Sequence, residues 1–209
     1  MNILSRLDLS PINFELPLDG TVGVMLSGGL DSAVLLSLIS KEISEKKLPI
    51  NVQVFTVPKF DGSINQVDSI ISYISKKFNV KILPKIVVGD PTLYHRSQNE
   101  SGIREVLTTY KSIKQLFLGI NQNPPLKFKV SGTYPDRVAS SDHPNIKIPF
   151  VNLYKTHIVD LIYQFSLEEL LNITHTCTEQ QEGRCGKCFQ CSERQWAFEQ
   201  LGKVDTGII

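Results

Sequence analysis

Apolar residues recur along the chain with two periods. Thr21-Val-Gly-Val-Met-Leu26 is a short β-branched apolar run suited to a buried parallel strand. From Asp31 to Lys47 the spacing turns helical, with Val34, Leu35, Leu38 and Ile39 on one face. Asn51 to Val57 reads as a second strand closed by Pro58, and Ile64, Val67, Ile71, Ile74 and Phe78 then step by three and four, as on an amphipathic helix. Val80 to Val88 predicts a third strand, interrupted near Pro84 and ended by Gly89-Asp90-Pro91. Gly102 to Gln115 predicts a helix and Leu116 to Ile120 a fourth strand; Lys155 to Phe165 and Leu167 to Leu171 are helical again. Between them, residues 121–149 break into Pro, Gly, Asn, Asp and Ser clusters, the kind of long connection that is usually functional in a compact domain. Strands alternating with helices of this length predict an α/β fold, a Rossmann-like doubly wound parallel sheet whose ligands sit at the carboxyl ends of the strands.

The chain has 209 residues, 41% of them hydrophobic, enough to build a core without a partner. The simplest partition is one compact domain, with a nucleotide-binding core over 1–150 and a helical segment carrying a metal module over 151–209. With 22 Lys plus Arg against 21 Asp plus Glu, the net charge is +1, which argues against a grip on a long nucleic-acid backbone. No stretch is apolar for long enough to predict a signal peptide or a membrane span, so a cytoplasmic protein is expected.

Ser27-Gly28-Gly29-Leu30-Asp31-Ser32 falls between the first strand and the first helix, where a parallel sheet places its phosphate-binding turn. Two glycines let the backbone approach a ligand, and the N–H groups of the helix start, with the Ser27 and Ser32 hydroxyls, make a socket for an anion. Asp31 would repel a phosphate unless a divalent cation lies between them, and Mg²⁺ resolves that conflict. No Gly-x-x-x-x-Gly-Lys-Ser/Thr motif occurs. The run instead resembles the Ser-Gly-Gly-x-Asp-Ser signature of the PP-loop ATP pyrophosphatases. That resemblance implies ATP, held by its pyrophosphate portion while a substrate oxygen attacks the α-phosphorus. The competing interpretation is a helix-entry turn with Ser and Asp as caps.

All four cysteines, Cys177, Cys185, Cys188 and Cys191, crowd into one short stretch. Four thiolates at this spacing supply the full tetrahedral complement of a structural zinc site, and in a reducing compartment such clusters are more often metal ligands than disulfides. Arg184, Lys187, Arg194 and backbone N–H groups are candidates to offset the charge of a Zn²⁺ tetrathiolate. His157 and His175 are not needed as ligands, since four thiolates close the shell.

Residues 177 to 198 resemble the C-terminal zinc module of the 7-cyano-7-deazaguanine synthase family, matching its Cys-Gly-x-Cys-x-x-Cys-x-x-Arg-x-x-Ala-Phe pattern at Cys185, Gly186, Cys188, Cys191, Arg194, Ala197 and Phe198. That family also opens on the Ser-Gly-Gly-x-Asp-Ser loop. Between the ends, Gly119-Ile-Asn121 resembles its Gly-x-Asn strand end, Tyr134-Pro-Asp136 with Arg137 resembles its Tyr-Pro-Asp-Cys-Arg segment, and the stretch from Pro149 to Ile158 places the family's lysine at Lys155. The resemblance implies an ATP- and Mg²⁺-dependent carbon–nitrogen ligase that adenylates the carboxylate of 7-carboxy-7-deazaguanine and transfers it to an amine, ammonia giving an amide that a second ATP-dependent activation dehydrates to 7-cyano-7-deazaguanine. It implies catalytic Asp31, Ser32 and Lys155, a deazaguanine site at Asn121, Tyr134, Asp136 and Arg137, and a homodimer. Lys155, Arg137 or Arg104 could supply the cation that phosphoryl transfer needs; Arg104, Lys111 and Lys114, all expected on one helix, read otherwise as a solvated basic face.

The departures matter as much. Where the family has Asp-Tyr-Gly-Gln before a basic residue and His, this chain has Val57-Pro-Lys-Phe-Asp-Gly-Ser-Ile-Asn-Gln66; the Pro-Gly-Arg-Asn type segment is absent near Arg96 to Ile103; and the Cys of Tyr-Pro-Asp-Cys-Arg is missing. These changes fall around the nucleotide and acceptor side of the pocket, so a protein amine in an antiphage defence system remains open beside ammonia. Two different functions also stay open: a tRNA-thiolating enzyme, and a zinc-stapled binding module that no longer turns over ATP.

Overall fold

The computed structural model describes residues 1–137 and 141–207. Its centre is a five-stranded, all-parallel sheet built around the first predicted strand, β3 (Gly20–Met25). On one side of β3 lies β4 (Ile50–Thr56) and beyond it β5 (Ile82–Val87); on the other lies β6 (Ile113–Leu118) and then the two-residue β7 (Ile146–Lys147). The strand order therefore reverses between β3 and β6. The crevice at their carboxyl ends is where such sheets bind ligands. A small antiparallel hairpin, β1 (Asn2–Leu4) with β2 (Pro11–Asn13), precedes the sheet; its short, half-exposed strands carry no run long enough to signal them in the sequence.

Side chains alternate between the two faces, as the strand period requires. Val22 and Val24 of β3, Val52 and Val54 of β4 and Phe117 of β6 turn to the larger core, which α1 (Leu30–Lys46), α2 (Val67–Phe78), α4 (Lys155–Gln164), α5 (Leu170–Ile173) and α6 (Phe189–Gln200) cover. Phe55, Leu116 and Leu118 turn the other way, onto Val106 and its neighbours in α3 (His95–Thr109). Because the larger core draws on β3 and β4 as well as on α4 and α6, residues on both sides of position 150 pack into one cluster.

Several sequence expectations are displaced by packing. Pro84 does interrupt β5: the register with β4 shifts between Gln53 and Phe55, and the Gln53 amide donates to the Pro84 carbonyl at 2.7 Å. Such a bulge is tolerable because β5 is an edge strand. Helix α2 buries Val67, Ile70 and Ile74, so Ile71 and Phe78 sit at the margin of the buried face. Helix α3 starts seven residues before Gly102 and stops at Thr109, because Ile113, Lys114 and Gln115 are drawn into β6. Arg104, Lys111 and Lys114 consequently share no helix, and Lys114 pairs with Asp19. Within the predicted irregular connection, residues 138–140 lie outside the described residues.

The C-terminal segment is fastened by a buried ion pair. Arg194, with no exposed surface, donates to both Asp205 oxygens at 2.8 and 2.9 Å, to Thr176 Oγ1 at 2.9 Å and to the Leu171 carbonyl at 3.2 Å, and Arg184 also donates to Asp205. Burial works to raise the Asp205 carboxyl, but hydrogen bonds from Arg194 and Arg184 hold it below its ordinary value. A carboxyl lowered on folding stabilises fully above about pH 4 and loses that contribution as the pH falls through its folded-state value. Asp205→Ala strands a buried guanidinium and is expected to cost about 3–5 kcal/mol in urea unfolding at neutral pH, with a smaller difference from the wild type as the pH is lowered.

Candidate active site and metal centre

The loop between β3 and α1 takes its shape from two close approaches. Gly28 has φ of +82°, and a Cβ there would lie 1.9 Å from the Ser63 carbonyl oxygen, so only glycine fits. Gly119, just past β6, lies so near the start of α1 that a Cβ would stand 2.8 Å from the Ser32 nitrogen. The Ser27 and Ser32 hydroxyls bond to each other at 3.1 Å; Ser32 Oγ also receives the Ser27 N–H and donates to the Gly29 carbonyl. Ser32 thus fastens the loop to itself, while Ser27, Gly29, Leu30 and Asp31 line a cavity of about 170 Å³. No side chain caps α1, so the N–H groups of its first turn are left for a ligand.

A buried chain of charges runs from this loop across the crevice. Asp31 Oδ2 accepts from the Lys155 ammonium, and Asp31 Oδ1 is buried without a partner among the described residues. Lys155, 4% exposed at the first position of α4, also lies 3.7 Å from Glu193 Oε2. Glu193, with no exposed surface, receives a two-pronged grip from Arg137 at 2.7 and 2.8 Å, and the Asn121 amide lies at 3.4 Å. Asp31, Lys155, Arg137 and Asn121 come together as one group. Glu193 is the member sequence reading missed; its signal was a carboxylate set between Cys191 and Arg194 on an otherwise core-facing helix.

Beyond this network a second cavity of about 630 Å³ opens, sharing Asp31, Lys59, Asp61 and Arg137 with the first. Asp136 lines it from an exposed position, paired with Arg96. Tyr134 stands outside the wall: its hydroxyl donates to the Phe128 carbonyl and its ring packs edge-on against Phe189. Arg104 is exposed and lines neither cavity. Lys59 lines both, and burial lowers its ammonium below the usual lysine value while nearby Asp61 opposes the shift.

The sulfur atoms of Cys177, Cys185, Cys188 and Cys191 all lie within 4.8 Å of one another, a donor set that can hold a metal ion. The cysteines are reduced, and backbone N–H groups of Glu179, Lys187 and Cys188 point at sulfur at 3.2–3.4 Å. Burial works to raise the Cys185 thiol, yet the N–H groups of Lys187 and Cys188 bring it down to about 7; burial pushes the Cys191 thiol up. Arg184 and Arg194, the counter-charge candidates from sequence, are both paired with Asp205. His175 is buried; its backbone N–H donates to the Gly28 carbonyl at 2.9 Å and its Nε2 has no partner among the described residues. His157 accepts the Tyr154 N–H at Nδ1 and meets Asp8 at 3.0 Å through Nε2.

The segment that carries Arg137, Lys155, Glu193 and all four cysteines is also the one that matches a family model. Residues 131–202 match that of the queuosine biosynthesis protein QueC. That match covers about a third of the chain and includes the whole four-cysteine cluster. No curated protein matches it. Among solved structures, the U34-tRNA thiolase NcsA from Methanococcus maripaludis, with its [4Fe-4S] cluster, resembles it with a TM-score of 0.46 and 15% identity over 88% of this chain; the chain spans 65% of that protein's length.

The four-cysteine cluster and the crevice share a helix, since Cys188 precedes α6 while Cys191 and Glu193 lie within it. Cys188→Ser is expected to reduce bound metal from about one ion per chain to nearly none, and to speed amide hydrogen exchange across residues 177–200, because coordination and local folding are coupled. Elemental analysis with exchange mass spectrometry checks both; a wild type purified without metal would overturn the centre.

Proposed function

We propose that this QueC-like PP-loop enzyme uses ATP to adenylate the carboxylate of 7-carboxy-7-deazaguanine and passes the activated acyl group to an amine. The observation that carries the proposal is Asp31: a carboxylate with one buried, unpartnered oxygen, set at the uncapped start of a helix and beside a buried lysine. An oxygen of that kind is what Mg²⁺ takes as ligand, so the residues fit the ion, which would neutralise phosphate charge there. The N–H groups at the start of α1 hold the pyrophosphate portion of ATP. The acyl carboxylate attacks the α-phosphorus, the bond to the β-phosphate breaks, and pyrophosphate leaves. Lys155 and Arg137, held in the cavity wall by Glu193, offset the charge that develops. The amine then attacks the carbonyl carbon, gives up a proton and displaces AMP.

Zinc is the metal we assign to the thiolates. Four sulfurs around a single Zn²⁺ lie about 3.8 Å apart from one another, whereas an iron–sulfur cube holds its thiolates apart by its own width; the 4.8 Å limit supports the single ion. With every thiol of the chain in that cluster, none stands separately at the loop to carry sulfur, which supports acyl activation.

Purified protein given ATP, Mg²⁺ and 7-carboxy-7-deazaguanine is expected to release pyrophosphate in proportion to the deazaguanine, and Asp31→Asn to slow that release by about 100-fold or more while melting within a few degrees of the wild type. Mass spectrometry identifies the acceptor: amide or nitrile with ammonium indicates ammonia, and an adenylate consumed only on addition of a partner protein indicates a protein amine. Release that depends on tRNA, and not on the deazaguanine, would replace this reading with thiolation.

A further inference from the structure

Four basic side chains line the two cavities: Lys59, Arg96, Arg137 and Lys155. Arg96 is paired with Glu100 and Asp136, Arg137 with Glu193, and Lys155 with Asp31. Lys59 alone among them forms no ion pair or side-chain hydrogen bond among the described residues. The Asp61 carboxylate on the same segment accepts the Ser63 N–H at 2.9 Å and lies outside ion-pair distance of Lys59. Lys59 also occupies a distinct place. It follows β4, whose end lies beside the loop, and it belongs to the wall of the small cavity at the start of α1 as well as that of the large one. A half-buried ammonium with a carboxylate near it but outside ion-pair distance is incompletely compensated and gains from an anion brought to it.

We propose that Lys59 is a further catalytic residue, whose ammonium bridges the α-phosphate of the nucleotide and the carboxylate that attacks it, at the border between the two cavities. The assignment rests on the adenylation reading. In this step the carboxylate oxygen bonds to the α-phosphorus as the bond to the β-phosphate breaks; Lys59 keeps its proton throughout and donates hydrogen bonds to both anions. In this role Lys59 contacts the α-phosphate and not the pyrophosphate held at the start of α1, and so discriminates between the two halves of ATP.

That division is measurable with the halves themselves. Calorimetric titration of the metal-loaded chain with AMP and, separately, with magnesium pyrophosphate is expected to show AMP affinity reduced about tenfold or more in Lys59→Met and largely restored in Lys59→Arg. Pyrophosphate affinity should stay within about twofold in both variants, on the scale of a lost charged hydrogen bond. Unchanged AMP affinity in Lys59→Met, equal loss for both ligands, or a wild type that binds neither would overturn the role. In turnover, Lys59→Met should lower kcat for pyrophosphate release far more than it raises KM for ATP; the reverse split would also overturn it. A wild type that shows the AMP-specific loss in Lys59→Met yet releases no pyrophosphate with the deazaguanine would refute the substrate and leave Lys59 as the α-phosphate contact.

Discussion

The crevice depends on a carboxylate that water does not reach. Glu193 has no exposed surface, and a bare charge in that position would cost several kcal/mol. The chain offsets it from two directions, with the paired donors of Arg137 and the ammonium of Lys155. Those cations come from the irregular connection and from the first residue of α4. One buried group therefore sets where both may stand. Asp31 completes the arrangement by drawing Lys155 toward the loop, so removing any one member leaves its neighbours with charge that solvent cannot screen.

The four-cysteine cluster bears on the same geometry. Cys188 and Cys191 stand at the first turn of α6, and Glu193 and Arg194 follow on that helix, with opposite charges and different partners. Glu193 faces the crevice, whereas Arg194 turns to Asp205 and the last turns of the fold. A metal held by these thiolates would anchor one end of a short helix that carries a carboxylate and a guanidinium, each buried with its own counter-ion.

The sheet was legible because β3, β4 and β6 are central strands whose apolar runs reflect burial on both faces. The glycine pair was legible but the reason for Gly28 was not: it was expected to let a ligand approach, and its close neighbour is the Ser63 carbonyl. Boundaries were less so: Ile113 to Gln115 carry enough polar character to pass for a helix end, and only their pairing with β3 makes them strand. In the site, local motifs located Asp31, Lys155, Arg137, Asn121 and the cysteines, but not how they meet. Glu193 and Lys59 were not singled out because their roles arise from long-range placement, across 72 residues from Asn121 to Glu193, for example. Arg194 and Arg184 illustrate the matching reason: nearness in sequence to thiolates suggested one partner, and the fold pairs both with Asp205.

One hydrogen bond ties the two ends of the chain together at the loop. The His175 N–H donates to the Gly28 carbonyl, spanning 147 residues, and His175 stands two positions before Cys177. A contact of such separation forms late, after the intervening chain has collapsed. On the ribosome, where the amino-terminal part emerges first, β3 and α1 can be made and packed well before residue 175 exists. The loop between β3 and α1 is then among the last parts of the molecule to acquire its final shape, so an unfinished chain does not present a finished crevice.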